Sequence, residues 1–142
     1  MISKSEGRRI MIRFEDGDEF FQKLGEAVAE HEISSGIILC SIGMMRQVTL
    51  EFYMGREKGY LRNQIGGPLE VVSLQGNIGL KAGKPIFHVH ACLADSAGKV
   101  VGGHLKQATV HFTNEMLVMR FDEIKLLRKF EESSGLNGLF FS

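Results

Sequence analysis

Imidazole is the side chain best suited to bind a transition metal or to move a proton near neutral pH. Three of the five histidines in this sequence fall between residues 88 and 104. The stretch from Pro85 to Leu105 reads P-I-F-H-V-H-A-C-L-A-D-S-A-G-K-V-V-G-G-H-L. From Ile86 to Ala94 its residues alternate, with Phe87, Val89, Ala91 and Leu93 on one side of a strand and His88, His90 and Cys92 on the other. Same-face neighbours on a strand lie about 6.6 Å apart, so His88 and His90 can aim at one point.

Asp95-Ser96-Ala97-Gly98 supplies a turn, with Asp favoured at its first position and Gly able to take positive φ at a bulge. A three-residue loop from Ser96 to Gly98 pairs Asp95 with Lys99. Counting outward, Ala94 meets Val100, Cys92 meets Gly102, and His90 meets His104. Directly opposed Cβ atoms are roughly 5 Å apart, so the third imidazole joins the first two. A slip of one residue would send His104 to the opposite face. Gly102, opposite Cys92, leaves room beside the cluster.

Three histidines without an obvious fourth ligand match an open zinc site, whose last position is left to water or substrate. Nickel or ferrous iron also accepts imidazole. Cys92 shares the histidine face and is a candidate fourth ligand. The competing reading places the histidines at a subunit contact or in surface hydrogen bonds. Glu70, a carboxylate within the apolar run Leu69 to Gly76, is the candidate general base or partner of a ligating imidazole.

The elements that must position these residues suit one domain spanning residues 1–142, long enough for a core and too short for two ordinary domains. Hydrophobic residues make up 44% and charged residues 24%, which excludes a disordered chain. No stretch reaches the apolar length of a membrane span. Met1-Ile2-Ser3-Lys4-Ser5-Glu6 carries no secretory apolar segment, so cytoplasmic residence is expected. Cys40 and Cys92 sit in apolar runs and are expected to be reduced and buried. Seventeen basic residues balance seventeen acidic ones, which denies the molecule the general attraction on which nonspecific DNA binding depends.

Arg9 to Phe14 predicts a strand, and Glu19 to Glu32 an amphipathic helix capped by Asp16 or Asp18. Gly36 is the expected left-handed residue after the helix. Ile37 to Ile42, almost wholly apolar, predicts a strand covered on both faces and broken at Gly43. Val48 to Met54 resumes it. Gly55 to Gly67 predicts a loop with a short strand over Tyr60 to Ile65, Leu69 to Gly76 a further strand, and Asn77 to Lys84 a turn-rich link. Ala108 to Phe112 and Leu117 to Phe121 predict strands. His111 is kept out of the metal site. Asp122 to Phe130 is ambiguous, and the aromatic tail ending in Phe140 and Phe141 needs cover from the sheet or a neighbouring subunit. The expected class is α+β: one main helix packed on a largely antiparallel sheet of about six or seven strands.

The segments Gly66 to Gly76, Gly83-Lys84-Pro85, His88-x-His90, Leu93-x-Asp95 and Val101-Gly102-Gly103-His104-Leu105 resemble, in order and spacing, the Plants and Prokaryotes Conserved (PPC) domain. The likeness covers nearly the whole chain, in its prokaryotic, stand-alone form; the family's label leaves its function open. The resemblance implies a homotrimer of α+β subunits and a metal held by residues matching His88, His90 and His104. Plant relatives add an AT-hook, an Arg-Gly-Arg-Pro element that enters the minor groove. Here Gly7-Arg8-Arg9 is followed by Ile10, so any DNA binding is expected to be weak. Two function classes follow, beside a third reading in which the protein is a scaffold whose metal only pins the hairpin. One is a DNA-binding-type trimeric module with a metal site. The other is a metal-dependent hydrolase or lyase with an open three-histidine centre, acting on a small molecule that the sequence leaves unspecified.

Overall fold

The computed structural model describes residues 1–142. In chain order its elements are β1 (Ile2–Glu6), β2 (Arg9–Glu15), α1 (Phe20–Glu30), β3 (Gly36–Tyr53) and β4 (Tyr60–Ile65). There follow β5 (Leu69–Lys81), β6 (Lys84–Ala94), β7 (Val100–Arg120), β8 (Leu126–Glu131) and β9 (Leu136–Phe141). The class is α+β, and all strand pairs are antiparallel except the single contact between β5 and β8. The sheet has nine strands rather than six or seven. Polar β1 and the terminal β9 gave no strand signal of their own, and each is made a strand by its neighbour, β2 and β8 respectively.

Two long strands organise the sheet. One edge of β7 carries β6 along Val100–His104 and β2 along Thr113–Met119, while its other edge pairs with β3. β3 also pairs with β5, and β5 with β6. The path β3, β5, β6, β7 therefore closes on itself. Gly43, at φ 124°, does not end β3 as expected; it marks one of several register shifts that bend β3 against β7. The stretch Asn77–Lys84 is likewise strand up to Lys81, followed by a tight turn at Ala82 and Gly83. Gly79 gives the stretch its turn-like composition, but a Cβ there would lie 2.8 Å from the Leu126 carbonyl oxygen, and one at Gly76, just before the stretch, would strike that of His88. Both glycines serve close strand approach.

The alternation of β2 buries Ile10, Ile12 and Phe14, and the apolar stripe of α1 buries Phe20, Leu24, Ala27 and Val28 against them. Phe14 and Phe20 meet with ring centroids 5.2 Å apart. Val89, Ala91 and Leu93 of β6 extend the same core beneath the histidine face. The helix begins at a Glu19 cap, whose carboxylate accepts the Gln22 amide at 2.7 Å, rather than at an aspartate. Asp18 instead accepts the Glu15 amide. Glu32, at φ 51°, takes the left-handed position expected of Gly36, with Ile33 N donating to Val28 O and Glu32 N to Ala29 O. Gly36 is needed for another reason: a Cβ there would lie 2.7 Å from the Met119 carbonyl oxygen. The helix is not long and apolar enough to cross a membrane.

Two expectations about burial are corrected. Ile37, Leu39 and Ile42 are exposed, Ile42 by 60%, because nothing in this chain packs on that face of β3. Cys40 and Cys92 are free thiols as expected, but both are exposed.

Candidate metal centre

The hairpin of β6 and β7 has the register that the sequence predicts: Ala94 opposite Val100, Cys92 opposite Gly102, His90 opposite His104. Asp95 holds the turn. Its amide donates to Lys99 O at 3.1 Å, its carbonyl accepts from Gly98 N, and its carboxylate accepts the amides of Ala97 and Lys99, both at 2.9 Å. Gly98 sits at φ 78°, the bulge position. The turn fixes the register, and the register brings the third histidine to the other two.

The imidazole centroids of His88, His90 and His104 are 5.0, 5.2 and 5.5 Å apart, and one nitrogen from each ring lies within 4.8 Å of the others. Atoms so spaced stand within about 2.8 Å of a common centre, close to the ~2.0–2.1 Å of a zinc–nitrogen bond. For one ion to bridge all three, the rings would have to draw in by up to about 0.7 Å. Burial, followed by the nearby Arg128 charge and the other two imidazoles, pushes the His88 pKa down to about 4. Burial also lowers that of His104, with Glu51 opposing. Neutral imidazole is the form that ligates, so this donor set suits a divalent ion.

Around the cluster lies an open cavity of about 930 Å³. Its walls include residues that sequence reasoning missed. Glu51, on β3 opposite His104, is only 7% exposed, and its carboxylate accepts Arg62 Nε from β4 at 2.9 Å. It carries the same signal that singled out Glu70, a carboxylate within an apolar run. The far wall is the β8–β9 hairpin, which contributes Arg128, Glu131, Ser134 and Asn137. Tyr53 Oη donates to the Ser134 carbonyl at 2.9 Å and Arg56 to that of Glu132 at 2.8 Å, which fastens this hairpin to the end of β3. Arg128 is half-buried, and desolvation lowers its pKa from the ordinary guanidinium value.

Other sequence candidates lie elsewhere. Glu70 is exposed opposite Ala94, four residues along β6 from His90, and does not line the cavity. Cys92 is outside both the nitrogen cluster and the cavity lining. His111 pairs with Arg46 at 2.6 Å, away from the three histidines, and His31 caps α1 beside Ser3.

The sequence profile of the Plants and Prokaryotes Conserved (PCC) domain matches residues 1–122. A Bacteroides thetaiotaomicron protein described as a candidate DNA-binding protein superposes with a TM-score of 0.92 at 26% identity, over 99% of this chain and 96% of its own. A metal-containing protein from Archaeoglobus fulgidus superposes with a TM-score of 0.86 at 30% identity, over 99% of each chain. Among curated proteins, the bifunctional protein GlmU of Synechococcus sp. (strain JA-3-3Ab) is 25% identical over 108 residues, 76% of this chain. This chain spans 16% of the length of that relative. The profile match over most of the chain and the near-complete superpositions agree: the chain belongs to the Plants and Prokaryotes Conserved domain family.

Proposed function

We propose that the protein is a cytoplasmic, homotrimeric metal-binding module in which His88, His90 and His104 together hold one divalent ion, zinc in the first instance. The convergence of three imidazoles, two of them held neutral by burial, on one point of an open cavity carries this reading. Nickel or ferrous iron would suit the same donors. Such an ion would supply Lewis acidity, and this chain's own residues would shape what reaches it. The metal-containing Archaeoglobus neighbour supports the assignment. Substituting all three histidines by alanine is expected to abolish stoichiometric metal in elemental analysis; unchanged metal content refutes it.

The trimer rests on the family resemblance and on the bare apolar surface of Ile42, Val72 and Val100, more than half exposed in the single chain. DNA binding, which the description of the Bacteroides neighbour supports for this chain, faces a balanced net charge. A steep loss of affinity with added salt is its required signature.

The second reading, a metal-dependent hydrolase or lyase, is favoured by the size of the cavity and by the carboxylate of Glu51 beside His104. Glu51 replaces Glu70 as the nearer candidate for moving a proton. Turnover of an ester, phosphoester or lactone that is lost in His104→Ala would support this reading.

A further inference from the structure

We propose that Arg128 is a masked anion anchor: it occupies His88 in the metal-free protein and, once a metal is bound, turns to hold a small carboxylate ligand in the cavity. This rests on the metal reading above and adds the class of ligand. A neutral imidazole has one ring nitrogen carrying a proton and one in-plane lone pair. Guanidinium can only donate, so Arg128 Nη2, 3.1 Å from Nδ1 of His88, takes up that lone pair. A cation on His88 needs the same electrons. The two contacts exclude each other, and like charge adds to the exclusion. Metal loading therefore releases Arg128.

The released guanidinium lacks a counter-charge. Its other acceptors are neutral: Asn77 Oδ1 at 2.7 Å and the Asn137 carbonyl at 3.3 Å. No carboxylate lies within ion-pair distance of it. Lys106 lines the same cavity. A half-buried, unpaired cation costs free energy that an arriving anion recovers. Planar carboxylate matches the paired donors of guanidinium. A single negative charge also suits a wall that already holds Glu131, where a doubly charged phosphate would be opposed. Phe87 and Tyr60 offer surface to an apolar body. The anchor lies beyond residue 122, outside the segment that the family profile matches, so this ligand preference belongs to the C-terminal hairpin.

The test uses cobalt(II)-loaded and zinc-loaded full-length protein, with 3-phenylpropanoate as the probe and 3-phenylpropanol as the uncharged control. Binding is followed by calorimetry and by the visible spectrum of cobalt. Wild type is expected to bind the acid and not the alcohol. Arg128→Met should weaken the acid about tenfold or more, as loss of one charge-assisted pair requires, and Arg128→Lys should fall between. Metal-free Arg128→Met should bind zinc at least as tightly as wild type, because the mask is gone. Equal binding of the acid by wild type and Arg128→Met, or weaker zinc binding by a variant with unchanged circular dichroism, overturns the proposal. A wild type that takes up no metal overturns the underlying metal reading instead, and the two failures are told apart by elemental analysis.

Discussion

Gly102 and Gly103 are adjacent on β7 between the turn and His104, yet the surroundings of their missing side chains differ. A Cβ at Gly102 would lie 2.8 Å from the Ala91 carbonyl oxygen and 3.1 Å from Cys92 Sγ. One at Gly103 would meet nothing nearer than 3.6 Å. In Gly102→Ala the obstructing oxygen is backbone of β6, the strand that carries His88 and His90, and β6 is hydrogen-bonded on both edges. The strand must shift by several tenths of an ångström, an overpacking cost of about 1–3 kcal/mol. For a chain of this size each kcal/mol lowers Tm by roughly 2–4 °C, so Gly102→Ala should melt about 2–12 °C below wild type. The same shift separates the facing pair His90 and His104, so zinc affinity should fall as well. Gly103→Ala should be neutral or slightly stabilising, because alanine restricts the unfolded chain. Thermal melts followed by circular dichroism, with zinc titrations against a competing chelator, compare the two. Equal stability of the two variants would refute the argument that contact at Gly102 sets the spacing of the hairpin.

Removing the cation from the buried carboxylate by Arg62→Met should cost about 1–3 kcal/mol in denaturant unfolding, since Glu51 is left without its only partner. The lower part of that range applies, because Arg62 is itself 65% exposed and water screens the pair. Asp16 accepts the Phe112 amide and then Arg46, which together hold its carboxyl below the ordinary range, with His111 adding to the effect. A lowered folded-state value means that the stabilisation is present above the unfolded pKa and is lost as pH falls through the folded one. Asp16→Asn should therefore be less stable than wild type at neutral pH, and the gap should close on acidification below the ordinary carboxylate range; a constant gap in melts across pH would count against this.

What was legible in the sequence was local or periodic. Alternation in β6, the Asp95 to Gly98 turn and the resulting opposition of His90 and His104 all follow from residues close together in the chain. The apolar stripe of α1 and the short β4 were readable for the same reason. Glu51 and Arg128 were not, because each reaches the histidines only through long-range pairing, Glu51 across β7 and Arg128 through a hairpin that touches β5. Val72 and Val100 show the complementary limit: an apolar residue in a strand signals a surface to be covered, but not whether this chain or another copy covers it.

The closed circuit of β3, β5, β6 and β7 has one more implication. From His90 to Ala94 β6 is bonded on both sides and cannot peel away without breaking two ladders at once, so the backbone beneath His90 stays in place whether or not an ion is there, while His88 is held by the ladder to β5 alone. Chelation should leave the amides of Ala91 and Leu93, inside the doubly paired segment, as protected from deuterium as before. In this molecule the ion would be a guest in a finished frame, unlike the metal of a small zinc finger, whose fold collapses without it.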